Sequence, residues 1–292
     1  MPEATVLVPT HDHGPTLRHS VGSILAQTVE DIEVFIVGDG VPERARAAVD
    51  EVVESDRRVR FFDRPKGPRL GEAYRHAILG EARGRIVCYL SDDDLWTPDH
   101  VETMLGLLEE ADFAHSLSLG LDAEGGLLGY WLDLAHPAER AAVLAGEKGV
   151  SLGAMAHTLE MYRRLPFGWR TTPPGVPTDR YMQQQFLAEP SCRAVSGTRP
   201  TMIHFESAPR ATWSAGERLA ELERWRGRFF DERGRAEFYC EVVELLAREH
   251  VRAVRGFEDS VAWRLRARLL GAPLVAPLVR SVARAGVRRR RP

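Results

Sequence analysis

Apolar residues in the first hundred positions fall into short runs, separated by stretches where they recur every three or four residues. The runs at 4–8, 33–37, 59–62 and 86–90 are rich in Val, Ile and Phe. Their length and composition predict strands buried on both faces. Between them, Leu17, Val21, Ile24 and Leu25 stand at helical spacing after Pro15 and Thr16. Residues 42–54 and 70–82 read as two further helices, the second closed by Gly84. Pro98 opens a fourth, running to residue 111, with Val101, Met104, Leu105 and Leu108 on one face. Such alternation predicts an α/β fold with a mostly parallel sheet covered by helices.

After residue 111 the rhythm changes. Stretches 112–121 and 127–132 read as strands around a turn at 122–126, with Trp131 as a core aromatic. Residues 137–149 and 157–165 read as helices. A long Pro/Gly-rich loop at 166–177 follows, and loops of this length inside a compact domain are usually functional. It ends where Thr178 is placed to cap a helix. Short strands are expected at 192–195 and 201–205, and from Trp213 the pattern is helical. Leu219, Leu222, Trp225 and Phe229 make one stripe; Phe238, Val242, Leu245 and Leu246 make another. These faces either pack on the preceding domain or pair two copies in a homodimer. The chain thus divides into a body at 1–205 and a helical region at 206–292.

Composition narrows the class. Hydrophobic residues make up 44% and charged residues 28%, as in soluble globular proteins. Cys88, Cys192 and Cys240 show no CxxC spacing, which argues against a disulfide scaffold or a zinc ribbon and for a reducing, cytoplasmic setting. No stretch reads as a signal peptide or a transmembrane helix. The net charge of −3 conceals an asymmetry. Residues 252–292 hold eleven arginines against two acids, a local +9 that leaves −12 on the remainder. The basic end reads either as a peripheral contact with an anionic membrane or as a solvated tail. Nothing else in the chain resembles a nucleic-acid module, so no nucleic-acid partner is expected.

The candidate chemistry lies at the ends of the apolar runs, where parallel sheets collect ligands. Thr10 and His11 follow the first run, Asp39 the second, and Asp92, Asp93 and Asp94 the fourth. Three adjacent carboxylates repel one another, and Mg2+ or Mn2+ prefers such hard oxygen ligands. The plainer reading is a solvated turn in which Asp94 or Thr97 caps the next helix. Gly38-Asp39-Gly40 lacks the third glycine of a dinucleotide fingerprint, with Glu43 in its place, and no Walker A loop occurs.

Four segments in register carry a resemblance. Val6-Leu7-Val8-Pro9-Thr10-His11, the stretch from Ser20 to Thr28, Glu33-Val34-Phe35-Ile36-Val37-Gly38-Asp39-Gly40 and Leu90-Ser91-Asp92-Asp93-Asp94 together resemble the family 2 glycosyltransferases, strongly over about 110 residues and weakly to about His204. The resemblance implies a GT-A fold with a nucleotide-sugar half at about 1–110 and an acceptor half at about 111–205. It implies that Pro9, Thr10 and His11 contact the nucleoside. Asp39 would take a base or ribose contact, and Arg69, on the loop before the helix at 70–82, would lie against uracil or contact the diphosphate. Arg75, on that helix, reads as part of an exposed face. Asp93 matches the position that holds Mn2+ or Mg2+, Asp92 the ribose-facing position, and Asp94 a support of the metal shell. Ser91 stands where the family has an acid, so the division among the three stays open. Asp179 resembles the family's general base; as a bare residue it is equally a first-turn acid favoured by the helix dipole. His204 matches a histidine that some GT-A enzymes use as a metal or diphosphate ligand, and otherwise reads as a satisfied histidine near the core. His11 and His157 carry the same two readings. The Gln-x-x-Arg-Trp signature of processive synthases is absent after Asp179.

The resulting expectation is a metal-dependent, inverting, non-processive glycosyltransferase with a UDP-sugar donor. Its acceptor would be a glycan, a lipid-linked molecule or a small molecule. The rivals are a degenerate nucleotide-sugar-binding protein and a metal-dependent phosphohydrolase. The second needs an acid two residues beyond a nucleophilic Asp and then Thr or Val, which Trp96 and Thr97 do not supply.

Overall fold

A computed structural model describes residues 1–258 and residue 268; the expectations for the arginine-rich tail lie outside the described residues. The first half alternates β1 (Ala4–Thr10), α1 (Gly14–Leu25), β2 (Ile32–Gly38), α2 (Glu43–Ser55), β3 (Val59–Phe62), α3 (Glu72–Leu79) and β4 (Ile86–Tyr89). Then come β5 (Leu95–Trp96), α4 (His100–Leu107), β6 (Phe113–His115), β7 (Ser118–Leu121), β8 (Leu127–Tyr130) and α5 (Pro137–Leu144). β9 (Met155–Thr158), α6 (Leu159–Arg164), α7 (Thr178–Ala188), β10 (Ala194–Ser196), β11 (Met202–Phe205), α8 (Ala215–Phe230) and α9 (Glu232–Glu258) complete the series.

Seven strands form the main sheet in the order β10-β6-β9-β4-β1-β2-β3. It is mostly parallel, as the alternation predicts; β9 runs antiparallel to both neighbours. The register sets Thr10 beside Gly38 and Leu7 beside Tyr89. The loops after β1, β2 and β4 therefore open on one edge, and the three acidic or polar segments meet there. β5, β11, β7 and β8 form a second sheet in that order.

Three expectations change. Residues 112–121 are two strands in different sheets, because the chain leaves β6 at His115 and joins the second sheet at Ser118. Trp131 is exposed rather than core, its ring lying over Gly129, where a Cβ would collide with it. His157 belongs to β9 rather than to a helix, and is fully buried.

His157 has a complete set of partners. Its Nδ1–H donates to the Thr158 carbonyl (3.0 Å) and its Nε2 accepts from the Tyr89 hydroxyl (2.7 Å). The Tyr89 oxygen accepts in turn from Trp169 Nε1–H (3.0 Å). Such a ring has no room for a second proton, and burial pushes its pKa down to about 3.

Two compact units are present, Met1–Val242 and a second from Val243, of which the helix to Glu258 is described. The first extends well past residue 205 because α8 packs against α1 and β5. Leu222, Trp225 and Phe229 of α8 are buried, so this stripe packs on the body. Among the described residues, no helix is long and apolar enough to cross a membrane.

The buried histidine sets a pH dependence. Its folded pKa lies below the ordinary value, so the unfolded chain binds more protons, and stability is lost as pH falls below about 6.5. Between pH 7 and 5, His157 should cost about 2 kcal/mol. Urea unfolding of His157→Asn over that range should show a shallower decline than the wild type by about that amount; parallel declines would contradict the assignment.

Candidate active site

The sheet edge opens into a cleft of about 540 Å³. Pro9, Thr10, His11, Asp39, Arg69, Asp92, Asp93, Asp179 and His204 all line it. Of the residues the sequence nominates, Asp94 and the buried His157 are absent from the wall.

The acidic triplet is not a solvated turn. Asp92 and Asp93 are buried and Asp94 is completely enclosed. Each acid is claimed by a different part of the chain. Asp92 accepts from the Thr10 hydroxyl (2.6 Å) and from His13 Nδ1–H (3.0 Å). Asp94 accepts from the Phe205 backbone N–H (3.0 Å) and from His204 Nδ1–H (2.9 Å), which fastens β11 to the triplet. Asp93 meets a guanidinium from α8, Arg218, at 2.6 Å. The hydrogen bond and charge of Asp92 raise the His13 pKa to about 9, and Asp94 does the same for His204. Both rings therefore carry a charge at neutral pH. Asp93 is pushed above the usual carboxylate range, first by burial and then by Asp94 and Asp92.

Residues fit for a divalent metal are therefore present. Asp92 and Asp93, with His13 once the cation displaces its proton, bring one donor atom each within 4.8 Å of one another. A buried carboxylate destabilised by two acidic neighbours is a site where an added cation is favourable.

The end of the cleft after β2 is built around Asp39. Its carboxylate accepts from the Gly67 N–H (2.6 Å) and from Lys66 Nζ (2.5 Å). His11 Nδ1–H donates to its carbonyl (2.7 Å). The loop closes on this acid through two left-handed residues, Arg69 at φ 52° and Gly71 at φ 64°. The Arg69 guanidinium reaches across the cleft to the carbonyls of Pro173 (2.8 Å) and Val176 (3.1 Å). The Pro/Gly loop is thus tied down as a wall.

Arg75 departs from its expectation of an exposed face. It is 5% exposed, lines the cleft and lies 4.9 Å over the Trp169 ring. Its Nε has no partner. Arg75 stands three residues before Ile78 and four before Leu79, both buried on the same side of α3; that periodicity was the available signal. His13 also lies in the loop after β1 and could have been read with His11. Arg218 lies 125 residues from its partner, and no local pattern announces it.

Asp179 opens α7. Thr178 does not cap this helix; Pro177 holds the capping position, and the Thr178 hydroxyl turns to Glu72 (3.4 Å). Burial raises the Asp179 pKa, a shift that its hydrogen bond from the Arg180 N–H and the charges of Arg180 and His204 partly counter. This leaves a carboxylate of enhanced basicity in the lining of the same cleft as Asp92 and Asp93.

The model of the family described as glycosyl transferase family 2 matches residues 5–167, more than half of the chain. The chain belongs to that family. An uncharacterized glycosyltransferase of Rickettsia felis is 26% identical over 133 residues, 44% of this chain and 22% of that protein. The succinoglycan biosynthesis protein ExoO of Rhizobium meliloti is 33% identical over 114 residues, 39% of this chain and 31% of its own. The matches thus span less than a third of these relatives' length. Among solved structures, mannosyltransferase PcManGT from Pyrobaculum calidifontis, in complex with GDP-Man and Mn2+, aligns with a TM-score of 0.51 at 16% identity, covering 95% of this chain and 86% of that one. S. aureus TarS 1–349 in complex with UDP-GlcNAc aligns at 0.56 and 13% identity, covering 80% and 71%. These likenesses show the GT-A fold.

The geometry around Asp39 yields a sharp test of this family 2 site. A Cβ at Gly71 would meet the Asp39 carboxyl carbon at 2.7 Å, on a backbone that L residues rarely adopt. Gly71→Ala should cost about 1–3 kcal/mol through this strain. Differential scanning calorimetry should show a melting point several degrees lower; an unchanged midpoint would mean the loop is not held as described.

Proposed function

We propose that the chain transfers a sugar from a nucleotide-sugar, with a UDP-sugar favoured, to an acceptor hydroxyl with inversion, non-processively and with Mn2+ or Mg2+. The observation that carries this reading is the pairing of a buried, cation-seeking Asp93 with a half-buried, basic Asp179 in the lining of one cleft. Leaving diphosphate oxygens need positive charge; an attacking hydroxyl needs somewhere to put its proton.

Asp93 is the proposed direct metal ligand. His204 would serve as a further ligand through Nε2 after losing its proton there, and Asp94 would support the shell by holding Nδ1–H and orienting the ring. The metal supplies charge stabilisation to the departing diphosphate. Asp92 faces the ribose. Asp39 and the loop from Pro9 to His11 hold the nucleoside, Arg69 walls the base, and Arg75 adds a buried positive charge to the same wall. Asp179 accepts the acceptor proton as the hydroxyl oxygen bonds to the anomeric carbon and the bond to the diphosphate oxygen breaks. One displacement inverts the centre. The acceptor is a glycan, a lipid-linked molecule or a small molecule, bound toward residues 111–205. The protein works in the cytoplasm, where nucleotide-sugars are substrates, and a homodimer remains compatible with the reading.

Thermal shift with UDP and GDP, each with and without Mn2+, tests the donor half. Metal-dependent stabilisation is expected with UDP above GDP, and Asp93→Asn should abolish it. Asp179→Asn should keep that stabilisation while losing about 10²–10⁴-fold in turnover. No binding of either nucleotide would overturn the reading. Equal turnover by Asp179→Asn would remove the base.

A further inference from the structure

The cation that Asp93 already has comes from α8, outside the segment matched by the family model. One terminal nitrogen of Arg218 donates to Asp93 Oδ2 at 2.6 Å, and the other lies 3.4 Å from His13 Nε2. Its side chain is 16% exposed, and its Nε is buried without an acceptor among the described residues. One donor of the guanidinium is therefore unsatisfied.

The helix carrying Arg218 is fixed without its help. Ser214 and Glu217 form a reciprocal capping box at its start. One turn along, the Glu221 carboxylate takes two hydrogen bonds from the buried Arg210 (2.6 and 2.7 Å). The other donors of Arg210 go to the carbonyls of Leu121, Glu206 and Asp122, at the end of β7 and after β11. α8 is thereby bound to the second sheet through a saturated arginine. Arg218 can change partner by rotating its own side chain, with no movement of the helix.

A guanidinium and a divalent cation compete for one carboxylate oxygen. We infer that Arg218 is a diphosphate-binding residue parked on Asp93, released when a divalent cation takes that carboxylate, and then paired with the phosphate oxygens of the donor. Its planar fork matches a phosphate edge, and the unsatisfied Nε supplies the second donor. Metal and nucleotide therefore bind with positive coupling. The cation alone must displace Arg218 with nothing to receive it; the nucleotide provides the acceptor. This inference rests on the proposed donor site.

Titration calorimetry with Mn2+ alone, with UDP in saturating Mn2+, and with inorganic pyrophosphate in saturating Mn2+ separates the steps. Arg218→Gln should bind Mn2+ alone several-fold more tightly than the wild type. The same variant should bind UDP and pyrophosphate about 10–100-fold more weakly, the range for a lost charge-assisted hydrogen bond. Arg218→Lys keeps a competing charge and loses the fork. It should bind Mn2+ like the wild type and the nucleotide with intermediate affinity, and it provides the test if the Gln variant proves unstable. Unchanged Mn2+ affinity in Arg218→Gln would overturn the parked state, and unchanged UDP and pyrophosphate affinity would overturn the diphosphate role. Failure of the wild type to bind any nucleoside diphosphate would instead sink the donor-site reading itself.

Discussion

Three consecutive carboxylates at a buried sheet edge can persist only if each has its own source of positive charge or its own hydrogen-bond donors. A lone buried carboxylate is costly by several kcal/mol, and neighbours of like sign raise that cost. The chain meets this demand with three separate elements. The loop after β1 provides Thr10 and His13 for Asp92. β11 provides a backbone N–H and His204 for Asp94. α8 provides Arg218 for Asp93. Parts of the protein separated by up to 125 residues are thus gathered by one local electrostatic problem. The cleft is what remains between them.

A second set of contacts keeps the opposite wall in place. Trp169 donates to Tyr89 through its ring and to the Tyr162 hydroxyl through its backbone N–H (3.0 Å). Tyr162 also meets His76 Nδ1 (2.9 Å). The indole is therefore held from below by β4, α6 and α3, and its face supports the Arg75 guanidinium. Arg75 is held in the cleft wall by this stacking and by its hydrogen bond to the Leu70 carbonyl (3.2 Å). Arg69 then draws the Pro/Gly loop over the same region. Packing deep in the sheet thereby fixes the positions of two cations at the surface of the cleft.

The alternation of apolar runs and helical stripes predicted the parallel sheet, and the polar segments after β1, β2 and β4 predicted which edge carries the chemistry. Both follow from local periodicity, which the sequence displays directly. The breaks between β6 and β7 and between β9 and α6 were not legible. A strand that changes sheets after three residues leaves no periodic trace, and His157 at the end of β9 is as compatible with a helix start as with a strand. Arg75 was legible in principle, since it shares a stripe with Ile78 and Leu79; a charged residue on an apolar face argues for exposure unless a partner such as Trp169 is known. The site residues nominated by motif reach the cleft, apart from the enclosed Asp94. Those that complete it, His13 and Arg218, answer charges placed elsewhere in the chain, and only the fold brings them together.

The same division of partners explains why the middle acid is suited to exchange. Asp94 is bonded to a backbone N–H of β11, so releasing it would disturb the second sheet. Asp92 is bonded to Thr10 and His13, and the Thr16 hydroxyl reaches its carbonyl (2.8 Å), which ties it to the start of α1. Asp93 alone is answered by the end of a long, rotatable side chain. Its partner can be replaced by another cation while every backbone hydrogen bond around it survives. Two acids of the triplet thus keep the edge folded, and the third has its charge requirement met by the end of a single side chain. A rigid frame around one exchangeable ion pair is the arrangement a site needs if it is to bind a charged ligand and release it again.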